Sequence, residues 1–272
     1  MTEQMENEVR TSMVCAVEIS KVYDEKTVLD QISITVAKGG IHGILGPRGA
    51  GKTTLLELIA GGVAPDSGRI EIGGTDIAKE PISTKRKIGY VPQSTTVYSD
   101  MTVSELLNFV GQTRKVETDK RYRQIKEAID LVGLESVQNR LTKNLTEYEK
   151  KKLLLAAALL GNPDVLLLDE PIPVCSAEQR QELEGLIRML GGIKTVLLAT
   201  RDFATARSLC QDVMILSDGR QLVADTFDAL EHTLADRAEA VSLEELYRSL
   251  TAVSTVPDGA EFDREAEKEA EE

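Results

Sequence analysis

Residues 43–62 read GILGPRGAGKTTLLELIAGG, and within them Gly46, Gly49, Gly51, Lys52 and Thr53 fit the pattern G-x-x-x-x-G-K-[ST]. Glycines at this spacing let the backbone wrap closely enough for its N–H groups to face phosphate oxygens, and a helix starting at the lysine adds a favourable dipole. The loop that would cradle the phosphates is Gly46, Pro47, Arg48, Gly49, Ala50, Gly51, Lys52, Thr53 and Thr54. Lys52 is placed to reach the terminal phosphates of a nucleoside triphosphate, and the Thr53 hydroxyl to ligate Mg²⁺. A second group of chemical side chains ends the apolar run VLLLDE, residues 165–170. Asp169 there suits the metal's coordination shell, and Glu170 beyond it could take a proton from attacking water. Alone, two acids after an apolar run also fit the polar start of a loop. Holding a phosphate and cutting it are separate matters, and the two groups bear on both.

Such groups need a scaffold. Strand-like runs occur at 14–20, 28–36, 41–45, 87–91, 164–169, 195–200 and 212–218, and helix-like periodicity at 53–60, 103–114, 119–133, 149–160 and 176–190. DVLLLD and TVLLAT are almost continuously apolar, the pattern of parallel strands covered on both faces. Residues from about 100 to 160 hold helical patterns and no strand, which predicts a helical insertion between two halves of an α/β core.

The 272 residues carry a formal net charge of −13 and 42% hydrophobic residues. A core is affordable at that composition, and a general nucleic-acid surface is disfavoured, since it needs a basic stripe. Cys15, Cys175 and Cys210 are three cysteines with no CxxC spacing, so neither a disulfide framework nor a zinc site is indicated, and a reducing cytosol is expected. The longest apolar run, 153–160, is far too short to span a bilayer, and the first residues lack a signal-peptide core. Residues 254–272 hold eight carboxylates against Arg264 and Lys268, a composition expected to stay solvated.

In this order the motifs resemble the nucleotide-binding subunit of an ABC transporter, over residues 13 to about 232. Tyr23, in KVYDEKTVLDQIS, matches the aromatic that stacks on adenine in that family, and Gln93, in GYVPQ, the glutamine that links the Mg²⁺ site to the helical subdomain. GNPDVLLLDEP matches the second nucleotide motif with its flanks. MTVSELLNFVGQTR and SLEELYRSL look most like ATPases of exporters with a separate permease. Tyr23 as a strand-edge aromatic and Gln93 as a surface amide remain open readings.

The resemblance fails at three places. Where the family has LSGGQ, this chain reads Leu145, Thr146, Glu147, Tyr148, Glu149; two carboxylates and a ring replace the glycine backbone that caps the γ-phosphate across a dimer. Thr146 to Glu149 is instead a capping box able to start the following helix, and Lys150, Lys151 and Lys152 behind it could offset the acids but are read as a solvated face. The loop after Glu170 reads Pro173, Val174, Cys175, Ser176 without the family's aspartate, and Arg201 stands where the family has histidine. An arginine can grip phosphate or pair with Asp202 or another nearby carboxylate, but does not orient water as imidazole does.

The resemblance thus implies an α/β fold of P-loop NTPase type, with an antiparallel β subdomain and an inserted α-helical subdomain. The expected organisation is a flexible 1–12, an ATPase domain over 13–235 with its helical part at about 94–161, a helical extension over 236–253, and the tail. ATP and Mg²⁺ are the implied cofactors, Glu170, Gln93 and Arg201 the implied catalytic set, and Thr53, Gln93 and Asp169 the metal set. The implied partners are a transmembrane permease and a second ATPase subunit, identical or different, with no nucleic acid and with the membrane met only through the permease, at the inner face of the plasma membrane. Hydrolysis is expected to be slow. A soluble regulatory or assembly module that binds nucleotide without a permease is the alternative.

Overall fold

The computed structural model describes residues 12–236 and 243–252. The acidic segment 254–272 and the first eleven residues lie outside them. In chain order the elements are β1 (Ser12–Tyr23), β2 (Lys26–Ala37), β3 (Ile41–Leu45), α1 (Lys52–Ile59), β4 (Ser67–Ile72), β5 (Thr75–Asp76), α2 (Pro81–Arg86), β6 (Ile88–Val91), α3 (Val103–Thr113), α4 (Thr118–Val132), α5 (Glu147–Leu159), β7 (Val165–Asp169), α6 (Ala177–Gly191), β8 (Thr195–Thr200), α7 (Phe203–Leu209), β9 (Asp212–Ser217), β10 (Arg220–Thr226), α8 (Phe227–Asp236) and α9 (Leu243–Ala252).

Two sheets carry the fold. One is antiparallel, in the order β2-β1-β4-β5; the other runs β10-β9-β3-β8-β7-β6, with all its neighbours parallel except the β10–β9 pair. Strands β3, β7 and β8 are buried along their whole length, which explains why their sequences read as apolar runs rather than alternations. α1 and the antiparallel sheet cover one face, and their side chains share a core with Ile44, Leu167 and Leu197. The opposite face packs against residues of α6, α7, α8 and α9, among them Ile187, Leu209, Phe227 and Tyr247. A third core, including Leu107, Ile129 and Leu153, holds α3, α4 and α5 together.

The helical insertion is confirmed: no named strand lies between β6 and β7. Its helices start on reciprocal caps, Thr102 with Glu105 before α3 and Thr146 with Glu149 before α5, and α4 stops at Gly133 in the left-handed conformation. Three strands (β4, β5, β10) and three helices (α2, α7, α8) have no counterpart among the runs read from sequence. β4 and β10 are largely exposed or alternating, and α2 and α7 have only 6 and 7 residues, too short for a helical period to register. Among the described residues no helix is long and apolar enough to cross a membrane.

Candidate active site

The parallel strands β3, β8 and β7 deliver their carboxyl ends to one edge of the sheet, where ligands of open α/β folds bind. The loop after β3, Arg201 after β8 and Asp169–Glu170 at the end of β7 line a cleft of about 430 Å³ there, with Val28 from β2 and Gln93 from the loop after β6. All the phosphate-loop residues from Arg48 to Thr54 line it.

The loop's geometry depends on its glycines. Gly51 precedes α1 with φ +100°, and a β-carbon there would lie 2.6 Å from Leu29 Cδ2 and 3.0 Å from the Val28 carbonyl oxygen. A β-carbon on Gly46 would lie 2.2 Å from the Leu216 carbonyl oxygen. Lys52, only 7% exposed, donates to the Gly46 and Pro47 carbonyls at 2.8 and 2.9 Å, so its ammonium sits inside the arch of its own loop. Burial pulls this ammonium below its ordinary range, against the pull of Glu170 and Asp169 and with the help of Arg201.

Asp169 is wholly buried. Its Oδ2 accepts from the Thr53 hydroxyl at 2.7 Å, whereas Oδ1 has no hydrogen-bond partner. Burial raises its carboxyl above the usual range, while Thr53, Lys52 and Lys151 draw it back. A buried, unpartnered carboxylate oxygen is costly, and a hydroxyl, an anionic oxygen and the nearby Gln93 amide form an all-oxygen donor set suited to a hard divalent cation. Mg²⁺ uses one or two carboxylates plus phosphate, so the residues present fit it.

Glu170 has a positive φ of 43°, and its carboxylate accepts from the Thr200 hydroxyl at 3.1 Å and from the Arg201 backbone N–H at 3.0 Å. Part of its accepting capacity is therefore spent on the β8 corner. Arg201 is exposed at the cleft wall, and Asp202 is engaged elsewhere: it accepts from Arg180 at 2.8 Å and Thr205 at 2.7 Å and caps α7. Arg201 has no ion pair among the described residues, which leaves its guanidinium to the cleft rather than to Asp202. Its carbonyl accepts from the Tyr247 hydroxyl of α9 at 3.3 Å.

Tyr23 sits half-exposed at the β1–β2 hairpin, its ring 5.2 Å from Lys21 Nζ; Val28, not Tyr23, lines the cleft. The loop Leu145–Glu149 is built as the capping box implies. Glu147 accepts from the Thr95 hydroxyl and pairs with Lys150 at 2.8 Å, and the Tyr148 hydroxyl donates to Glu182 at 2.5 Å. The three lysines behind it are not a solvated face. Lys151 and Lys152 are 4% and 5% exposed, with Lys151 turned toward the end of β7 and Lys152 toward Glu182 of α6. Lys152 pairs with Glu182 at 2.7 Å. Lys151 donates to the carbonyls of Pro92, Gln93 and Asp169, and burial lowers its ammonium to about 8 against the fields of Asp169, Glu170 and Glu147. A lysine run does not by itself say which members turn inward; only the helical period, which places Lys151 and Lys152 four and three residues before the buried Leu155, pointed to them.

A second groove, of about 1010 Å³, opens from the same cleft between the loop after Gln93, Glu147 and the fully exposed Val174.

A model of the family described as ABC transporter matches residues 29–173. The Nod factor export ATP-binding protein I of Paraburkholderia xenovorans is 35% identical over 213 residues, covering 78% of this chain and 70% of that protein. The probable multidrug ABC transporter ATP-binding protein YbhF of Escherichia coli is 33% identical over 214 residues, 79% of this chain but only 37% of the relative's length. Among solved structures, an ATP binding subunit of an ABC transporter superposes with a TM-score of 0.78 at 25% identity, covering 88% of this chain and all of that one. With the phosphate loop, the buried aspartate and the helical insertion in the same arrangement, the chain belongs to the ABC transporter family, as one of its ATP-binding cassettes.

Proposed function

We propose that this protein binds Mg·ATP in the cleft and couples that binding to a separate membrane permease of an exporter, hydrolysing the nucleotide slowly. The observation that carries the reading is the meeting of three groups on one edge of the sheet: Lys52 inside the arch of its loop, Thr53 against Asp169 at 2.7 Å, and the unpartnered Asp169 Oδ1. Lys52, Arg48 and Arg201 supply positive charge for the phosphates; Thr53, Asp169 and Gln93 hold the metal, which when bound screens the phosphate charge; Tyr23 offers the adenine an exposed ring. The second groove, with Val174 at its rim, is the surface for a second cassette, and the helical insertion the part that meets the permease. The protein then sits at the inner face of the membrane through that partner. The name of the Nod factor export relative supports the exporter reading.

Poor cleavage follows from the site's departures. Glu147 and Glu149 face the place where a paired copy's phosphate would dock, and both are committed to local contacts, Glu149 through the cap and Glu147 through Thr95 and Lys150. Arg201 in place of histidine holds phosphate but presents no neutral nitrogen to water. Calorimetry of ATP binding to wild type and Lys52→Ala tests the binding reading. Loss of one charged donor to the terminal phosphates should weaken affinity by roughly 10- to 100-fold, and unchanged affinity in the variant overturns the site assignment.

A further inference from the structure

The ammonium of Lys151 is a junction that the motifs of this site do not include. It lies in the first turns of α5, immediately behind the substituted Leu145–Glu149 segment, and is 4% exposed. Its three hydrogens meet three backbone carbonyls: Pro92 at 2.7 Å, Gln93 at 2.9 Å and Asp169 at 3.3 Å. An ammonium has three donors and no acceptor, so this set uses its full capacity. The acceptors belong to different parts of the site. Pro92 and Gln93 begin the loop into the helical insertion, and Asp169 ends the strand that holds the buried carboxylate and passes directly to Glu170. Among the described residues no carboxylate lies within ion-pair distance of Lys151, so its contacts are to main chain and set the path of both segments rather than neutralising a charge.

We propose that Lys151 is a positioning residue for the metal-nucleotide site: it holds the Gln93 loop against the end of β7, so that the Gln93 amide and the Asp169 carboxylate face the same metal position. This rests on the Mg·ATP reading above. Lys52 and the phosphate loop follow β3 and open α1, and Lys151 donates its hydrogens to other segments, so ATP binding without metal should not depend on it.

The experiment measures ATP affinity by calorimetry in excess Mg²⁺ and in EDTA, for wild type, Lys151→Met and Lys152→Met, with melting temperatures for all three. Methionine keeps most of the buried stem and removes the donors. Lys152 is equally buried one residue along the helix, but its partners are Glu182 and Gly133, away from the cleft. Lys151→Met should keep the wild-type affinity in EDTA and lose about tenfold or more of the gain that Mg²⁺ brings, the worth of one or two charge-assisted hydrogen bonds. Lys152→Met should lower the melting temperature and leave that gain intact. The same Mg²⁺ dependence in Lys151→Met as in wild type, or the same loss in Lys152→Met, overturns the proposal. Wild type that binds no ATP even in EDTA would instead overturn the functional reading beneath it.

Discussion

Replacing Glu147 and Tyr148 together by glycine restores the residue types that let backbone approach a phosphate, and its cost is written in the present structure. Tyr148 loses a 2.5 Å hydrogen bond to Glu182 and its ring's place 5.2 Å from the Lys152 ammonium. Glu147 loses the Thr95 hydroxyl and Lys150, a largely exposed pairing that contributes little. Two glycines in the first turn of α5 give up about 1 kcal/mol each of helix preference. A hydrogen bond to a charged acceptor is worth about 1.5 kcal/mol or more, and the cation–ring contact about 0.5. Together the double variant should be about 3–5 kcal/mol less stable, which for a chain of this size lowers the melting temperature by about 10 °C. Thermal unfolding at fixed protein concentration, without nucleotide, reads this directly. A melting temperature within about 2 °C of wild type would refute the view that this segment is held by its own helix start and neighbours. Phosphate release by the same variant should rise, because the loop then presents N–H groups in place of a carboxylate and a ring.

Gly51→Ala should cost about 2–4 kcal/mol, since φ +100° strains an alanine and its β-carbon meets Leu29 and the Val28 carbonyl; urea melts check it. His42 tests a pH dependence away from the cleft: Nδ1 lies 2.8 Å from the Asp212 carboxylate and Nε2 2.9 Å from the Gly39 carbonyl, so both nitrogens must carry hydrogen. Burial pulls this imidazole down, but the bond to Asp212, its charge and the Gly39 carbonyl outweigh it and leave the folded value raised. Its stabilisation is therefore complete below the unfolded value of about 6.5 and is lost as pH rises through the raised folded value. The stability difference between wild type and Asp212→Asn should accordingly shrink as pH rises above about 6.5 and through the raised folded value, measured by denaturant unfolding; a constant difference would contradict a protonated His42.

The phosphate loop, the buried β7 and β8 and the helical insertion were legible in sequence because each imposes a local pattern: fixed glycine spacing, unbroken apolar runs, helical period. The Thr146–Glu149 cap was legible for the same reason, since a capping box needs only four residues. The lysines behind it were not. Lys151 and Lys152 are charged residues turned inward by contacts with Pro92, Gly133 and Glu182, which come from distant parts of the chain. The fate of Arg201 was likewise decided at long range: Asp202 was its obvious neighbour, but Arg180 from α6 takes that carboxylate. The short α2 and α7 and the exposed β10 lacked enough period to be seen.

Phosphate release at saturating Mg·ATP, compared between wild type and Glu170→Gln, tests most directly whether the chain holds ATP better than it cuts it. General-base catalysis is worth about 10² to 10⁴ in rate, so an efficient site has that much to lose when the carboxylate becomes an amide. With Glu170 tied to Thr200 and the Arg201 N–H, arginine in place of histidine, and carboxylates where a second cassette's phosphate would dock, slow wild-type turnover is predicted, and a fall of less than about tenfold in the variant. Fast turnover in wild type, abolished by Glu170→Gln, would contradict the account.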